Sequence, residues 1–240
     1  MTPILVIGRQ ITNFNFARRF VSNKQMKITA GGPRCLSTDT IQDPEFPIVS
    51  EDVKFARYLT LYNRSVQFPD GQVHDFDIIG HPRANFHFCV TFPFHPALSG
   101  NWQDGEVTLV REFCQGISEL VYCLPTGAFD PTKHSTYEDC AKAELSEEAL
   151  LKGGTLVKLL DEGVGVPEVK WCRNKFTPFI ALEPVLDEQP GKRDLEEYIQ
   201  VVRVNILELK KIMRSGAMLL PSVTTCYWAM EYLSENTRAK

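Results

Sequence analysis

"AELSEEALL", residues 143–151, places Glu144, Glu147 and Glu148 within five consecutive positions. On a helix Glu144 and Glu148 stand at i and i+4 and Glu147 at i+3 from the first, so the three carboxylates crowd one face. The flanks predict that helix over about 136–151. Ser135 as N-cap with Glu138 three residues on makes a capping box, and Gly153-Gly154 stop it. Like charges at that spacing repel and need an offset. Either the face is solvated, or it is a platform for a hard divalent cation, since oxygen-only carboxylate ligands suit Mg²⁺, which keeps waters and bridges to phosphates.

Upstream the pattern is strand-like from Val53 onward. "YLTLYNRSVQF" ends at the turn "PDG" (69–71), "QVHDFDIIG" follows, then the aromatic run "NFHFCVTFPFH" and "EVTLVREF". "ELVYCLPTG" leads through a long loop into the glutamate helix. Beyond it, "EVKWCRNKFTPFIALEPV" and "EYIQVVRVNI" read as strands, and helices over 206–215 and 221–235 close the chain. Strands and helices in mixed order, without a regular βαβ repeat, predict an α+β fold with a mixed sheet.

The combination of "LPTGAFDP" (124–131) with Gly127, Glu144-Leu145-Ser146-Glu147-Glu148 and Leu151 resembles the Nudix hydrolase family, whose box is a glycine, a loop and a glutamate helix. "VREFCQG" (110–116), "LPTG" and the later "EEYIQV" occur in the order of the ADP-ribose and ADP-sugar pyrophosphatase branch, with Pro167 sixteen residues after Leu151. The resemblance covers roughly 60–235. It implies an α/β/α sandwich with a mixed sheet, preceded by a small antiparallel sheet from about 53 to 85. The box is degenerate, because Ala143 stands in place of its arginine, Ser135 in place of an early glutamate and Leu150 in place of its glycine. The missing arginine leaves Glu147 in need of another partner, Glu138 stands where it could replace the early glutamate, and Gly153 is expected to end the helix.

The resemblance also implies the chemistry. Glu144 and Glu148 would hold Mg²⁺, or Mn²⁺ in its place, with a backbone carbonyl near Thr126 as a further ligand and Glu147 supporting them. Such a cation neutralises phosphoryl oxygens and activates a bound water for attack on a diphosphate. A loop carboxylate, Glu197 in preference to Glu196, would act as general base. Arg111 could meet the diphosphate as a bidentate guanidinium, with a surface arginine as the other reading. His81, His87 and His95 lack ligand spacing on any one element, and Phe113 and Trp171 are stacking candidates among many. Relatives in this branch are homodimers, so a homodimer is expected.

Composition narrows the classes. With 43% hydrophobic and 23% charged residues, 240 residues are enough for one sizeable core, and no apolar run is long enough to span a membrane as a helix. Residues 1–37 carry Arg9, Arg18, Arg19, Lys24, Lys27 and Arg34 and no acid, the composition of an organellar transit peptide, mitochondrial or else plastid. Residues 38–85 then read as a linker and β region, and 86–240 as the hydrolase domain. From residue 38 onward, 20 basic residues face 30 acidic ones, a net −10, which argues against nucleic acid as a partner. Seven scattered cysteines, an odd number without a CxxC pair, argue against a disulfide framework and against a structural zinc site.

Three functions follow as expectations: hydrolysis of a nucleoside diphosphate linked to a sugar, to AMP and a sugar phosphate; the same chemistry on a dinucleotide or an RNA 5′ end; or a catalytically weak binding protein on this scaffold.

Overall fold

The computed structural model describes residues 43–161, 163, 165–193 and 198–237. Residues 1–37, expected as a transit peptide, and both candidate bases, Glu196 and Glu197, lie outside the described residues. Residues 44–240 form one compact unit.

Three antiparallel strands open it: β1 (Ile48–Ala56), β2 (Thr60–Gln67) and β3 (Val73–Gly80). β1 begins five residues before the pattern from Val53 predicts, because "SED" interrupts its apolar alternation; the ladder to β2 carries the strand across these residues instead. Glu51, within that interruption, accepts from Arg64 at 2.6 Å and from Arg173 at 3.0 Å. The Arg173 guanidinium lies 4.1 Å from the Phe86 ring centre and 5.0 Å from that of Tyr62, fastening the small sheet to the body by cation–π contacts as well as charge.

The main sheet has eight strands: β4 (His87–His95), β5 (Glu106–Cys114), β6 (Glu119–Cys123), β7 (Thr126–Ala128), β9 (Thr155–Lys158), β10 (Val166–Pro167), β11 (Lys175–Leu182) and β13 (Ile199–Asn205). A separate pair joins β8 (Leu151–Lys152) to β12 (Val185–Leu186). The order β10-β11-β4-β5-β13 carries β7 on β4, β6 on β5 and β9 on β11; β11 and β4 run parallel and the other pairs antiparallel, a mixed sheet as expected.

β4 is apolar on both faces because both are covered. Val90, Phe92 and Phe94 point into the core formed with α2 (Ile206–Ser215) and α3 (Leu220–Thr237), while Cys89 points the other way, against Cys140 and Ala141 of α1 (Tyr137–Glu147). This is the expected α/β/α sandwich. No described helix is long and apolar enough to cross a membrane.

Candidate active site

The glutamate helix starts one residue later than its sequence signals predict. Thr136, not Ser135, is the N-cap: its hydroxyl accepts from the Asp139 amide at 3.1 Å and the Asp139 carboxylate accepts from the Thr136 amide at 3.1 Å. The reason is the same reciprocal satisfaction of end amides, with Thr/Asp in place of Ser/Glu. The end differs more. Leu150 takes the left-handed backbone, φ 59°, directly after the last turn, so the helix stops at Glu147 and Gly153 does not end it. A leucine thus holds the conformation that favours the box glycine it replaces.

Two of the three glutamates face the sheet, and the third does not. Gly127 in β7 lies directly under Glu144: a Cβ there would overlap the Glu144 carboxylate. Glu148, 4% exposed, accepts the Thr126 amide at 2.8 Å through Oε2. The i, i+4 pair therefore straddles the start of β7, pinned at one end by an absent side chain and at the other by a backbone N–H. Glu147 turns instead against Gly191. The expectation of three carboxylates on one face reduces to a pair, because a step of four residues advances only about 40° around a helix while a step of three falls short by about 60°. Among the described residues no three acidic, histidine or cysteine side chains converge to hold an ion by themselves.

The segment after β12 closes over the helix end. Asp187 accepts from the Ser146 hydroxyl (2.8 Å) and from Lys152 (2.9 Å), and the Gly191 amide donates to the Ser146 hydroxyl (3.0 Å). Lys152 foremost, then the Gln189 amide (3.1 Å) and the Ser146 hydroxyl, hold the Asp187 carboxyl below its usual range. Arg193 donates Nε to the Glu147 carbonyl (2.8 Å) and an Nη to the Glu148 carbonyl (2.6 Å), a cation at the helix C-terminus where the dipole favours one. A second Nη reaches the Ile199 carbonyl at 3.4 Å. Both flanks of residues 194–197 are thereby tied to the end of α1. Nothing in the sequence singles out Arg193; it reads as one of several charges in a polar loop.

Arg111 is not brought to the glutamate pair. Val110 and Cys123 are partners across β5 and β6, so Glu112 shares their face, and Arg111 projects from the opposite one, 5.7 Å from the Tyr122 ring centre. Tyr122 packs on the core beneath α2 and α3, away from α1. Strand alternation, which a reading by position in the chain does not resolve, puts a carboxylate rather than a guanidinium on the α1 side. Burial raises the Glu112 carboxyl, with the Cys123 thiol acting against it; burial and the neighbouring Glu112 and Glu148 charges push the Cys123 thiol well up.

The histidines serve packing. The His81 ring accepts from the Ala84 amide at 3.1 Å, His87 pairs with the Thr177 hydroxyl at 2.7 Å and stacks on Tyr137, and His95 pairs with the Thr108 hydroxyl at 2.8 Å. Thr126 contributes its amide to Glu148, and its hydroxyl donates to the Leu124 carbonyl at 2.7 Å. A contact outside the expected set holds the chain just before β7: the Leu124 amide donates at 2.9 Å to the buried Ser222 hydroxyl of α3.

No family model matches the chain. It is similar to an ADP-ribose pyrophosphatase of Bacillus subtilis, 23% identical over 189 residues that cover 79% of this chain and 92% of the relative. Its fold matches a crystal structure of an ADP compounds hydrolase with a TM-score of 0.64 at 16% identity, covering 80% of this chain and 96% of that one. Both relatives are hydrolases by name, and the resemblance to the Nudix hydrolases carried by residues 124–151 is borne out by them.

Proposed function

We propose that the chain is a divalent-cation-dependent pyrophosphatase that splits ADP-ribose or a related ADP-sugar to AMP and a sugar phosphate. The observation that carries this reading is the placement of Glu144 over Gly127 and of Glu148 on the Thr126 amide, which sets two carboxylates one helical turn apart beside the glycine-containing strand β7. The names of the two relatives support the substrate class.

The donor set fits Mg²⁺ or Mn²⁺. Two carboxylates are hard oxygen donors, and they leave the remaining positions to water and substrate phosphate, the mode in which Mg²⁺ prefers to bind. Glu144 and Glu148 would hold it, with the Thr126 carbonyl beside them; bound there, it supplies charge neutralisation and an activated water. Glu147, packed on Gly191, supports the pair through the loop. Arg193, holding the carbonyls of Glu147 and Glu148, fixes the helix end in a box that lacks its arginine at Ala143. Glu197 takes the proton from the attacking water; that assignment draws on the anchoring of both flanks of its loop to the end of α1.

The test is AMP release from ADP-ribose and ADP-glucose by the full chain with Mg²⁺, with NADH and a 5′-triphosphorylated RNA in parallel. Turnover of an ADP-sugar that is lost in EDTA and in Glu197→Gln supports the reading. A folded protein silent on every substrate that still binds ADP-ribose would establish the binding-protein reading instead.

The exposed apolar residues of β1, Ile48, Val53 and Phe55 among them, support a homodimer, which light scattering on the purified chain checks. A mitochondrial address for residues 1–37, with a plastid as the competitor, is checked by the destination of a fluorescent fusion.

A further inference from the structure

The segment at β12 runs along the surface, with Val185 and Leu186 both more than half exposed, yet the Asp187 side chain that follows is turned inward and only 9% exposed. Its backbone is fixed: Leu186 pairs with Leu151 across β12 and β8, and the Asp187 amide donates to the Leu150 carbonyl at 2.9 Å. From that post one carboxylate oxygen accepts the Ser146 hydroxyl at 2.8 Å, and the other accepts from Lys152 and the Gln189 amide. The Ser146 hydroxyl itself accepts from the Gly191 amide at 3.0 Å, so it is engaged both as donor and as acceptor.

The ion pair with Lys152 does not explain this arrangement, because the Lys152 side chain is 53% exposed and such a pair contributes little. The other end of the network is Ser146. It lies two residues from Glu144 and two from Glu148, about 160° around the helix from each. Ser146 is thus the back of the turn whose front carries the carboxylate pair. Glu148 holds the front to the sheet through the Thr126 amide at 2.8 Å, and Ser146 holds the back to Asp187. A roll or tilt of the turn that opened the rear contact would swing the Glu148 carboxylate away from β7. Ligand geometry of this kind depends on the hydrogen bonds that fix the supporting residues.

We propose that Asp187 is a positioning residue of the hydrolytic site: through the Ser146 hydroxyl it sets the last turn of α1 and with it the aim of Glu148, a role that rests on the reading of Glu144 and Glu148 as cation ligands.

Mn²⁺ binding to the full chain, followed by electron paramagnetic resonance, and steady-state turnover of ADP-ribose test it in Ser146→Ala, Asp187→Ala, the double variant, Ser146→Thr and Lys152→Ala. Ser146→Ala and Asp187→Ala should each weaken Mn²⁺ binding roughly tenfold, the low end for losing the outer support of a metal ligand, and should lower kcat with KM for ADP-ribose unchanged. The double variant should be no worse than the worse single, since both remove one shared contact. Ser146→Thr keeps the hydroxyl and should recover most of the loss, while Lys152→Ala should behave as wild type. Alanine is the best helix former, so Ser146→Ala should fold even where Asp187→Ala does not, and it then decides alone. The proposal is overturned if Ser146→Ala melts at a lower temperature yet binds Mn²⁺ and turns over as wild type does, or if the two single losses add. Mn²⁺ affinity that depends on Glu148 but not on Ser146 or Asp187 would keep the cation site and overturn only the positioning role; a wild-type chain that binds no Mn²⁺ would overturn both.

Discussion

Glu144 and Gly127 occupy each other's space: the carboxylate lies where any β-carbon at position 127 would have to be. The glycine is therefore a requirement of the glutamate's position, independent of its own backbone torsions. Gly127→Ala should displace Glu144 and lower kcat/KM for the ADP-sugar by roughly 10- to 100-fold, the scale of disturbing the support of a metal ligand, with a smaller loss of thermal stability. A variant as active as wild type would mean that Glu144 does not work from this position.

Glu148→Gln separates charge from shape. The amide oxygen can still accept the Thr126 N–H, so the fold should hold within about 1 kcal/mol, while removal of a cation ligand should cost on the order of a hundredfold or more in turnover. Mn²⁺ binding followed by electron paramagnetic resonance should weaken in parallel. Unchanged Mn²⁺ affinity would remove Glu148 from the ligand set.

Arg193→Ala should destabilise the protein by about 2 kcal/mol, since two part-buried carbonyls lose charged donors. Arg193→Lys should recover only part, because one ammonium cannot span both carbonyls as the planar fork does. Urea denaturation of the three proteins gives the order, and equal stability of the alanine and arginine forms would refute it.

Leu150 sits at φ 59°, a conformation that costs a side chain with a Cβ about 1 kcal/mol. Replacement by glycine should leave the protein about 1 kcal/mol more stable than replacement by alanine, which removes the same side chain and keeps the strain. Thermal melts of the two variants decide it; alanine at or above glycine would show that the left-handed turn carries no strain.

His95 supplies a pH dependence of known sign. Burial, with Arg203 second, pushes its pKa from 6.5 down to about 4. As pH falls below 6.5 the unfolded chain takes up a proton that the folded one refuses, so stability should decline from pH 6.5 to about 4 and the His95 contribution level off below that. His95→Gln should flatten the melting-temperature profile in that window, and an NMR titration of the ring should show a midpoint near 4. A midpoint near 6.5 would contradict the assignment.

Local pattern identified much of this molecule. The glutamate helix, most of the core strands, the closing helices and the mixed sheet all follow from periodicity and end signals in the chain, because burial on one or both faces leaves its period in the sequence. Helix ends are less legible. Ser135 and Thr136 are both competent caps, and only the backbone decides which one the Asp139 carboxylate answers. Gly153 is the better helix stop by residue type, yet the Asp187 amide on the Leu150 carbonyl and the β8–β12 pairing hold Leu150 in the turn.

By itself the sequence determined that Glu144 and Glu148 are one turn apart, that a glycine-bearing segment precedes them, and that strands and helices alternate irregularly, since each is a matter of near neighbours along the chain. Only the tertiary structure decided that Glu147 leaves the pair, that Arg111 faces away while Glu112 faces α1, and that Arg193 and Ser222 brace the helix end and the residue two before β7 from 45 and 98 residues away. Those relations depend on which face a strand presents and which distant segment closes over it, and no spacing within one segment encodes either.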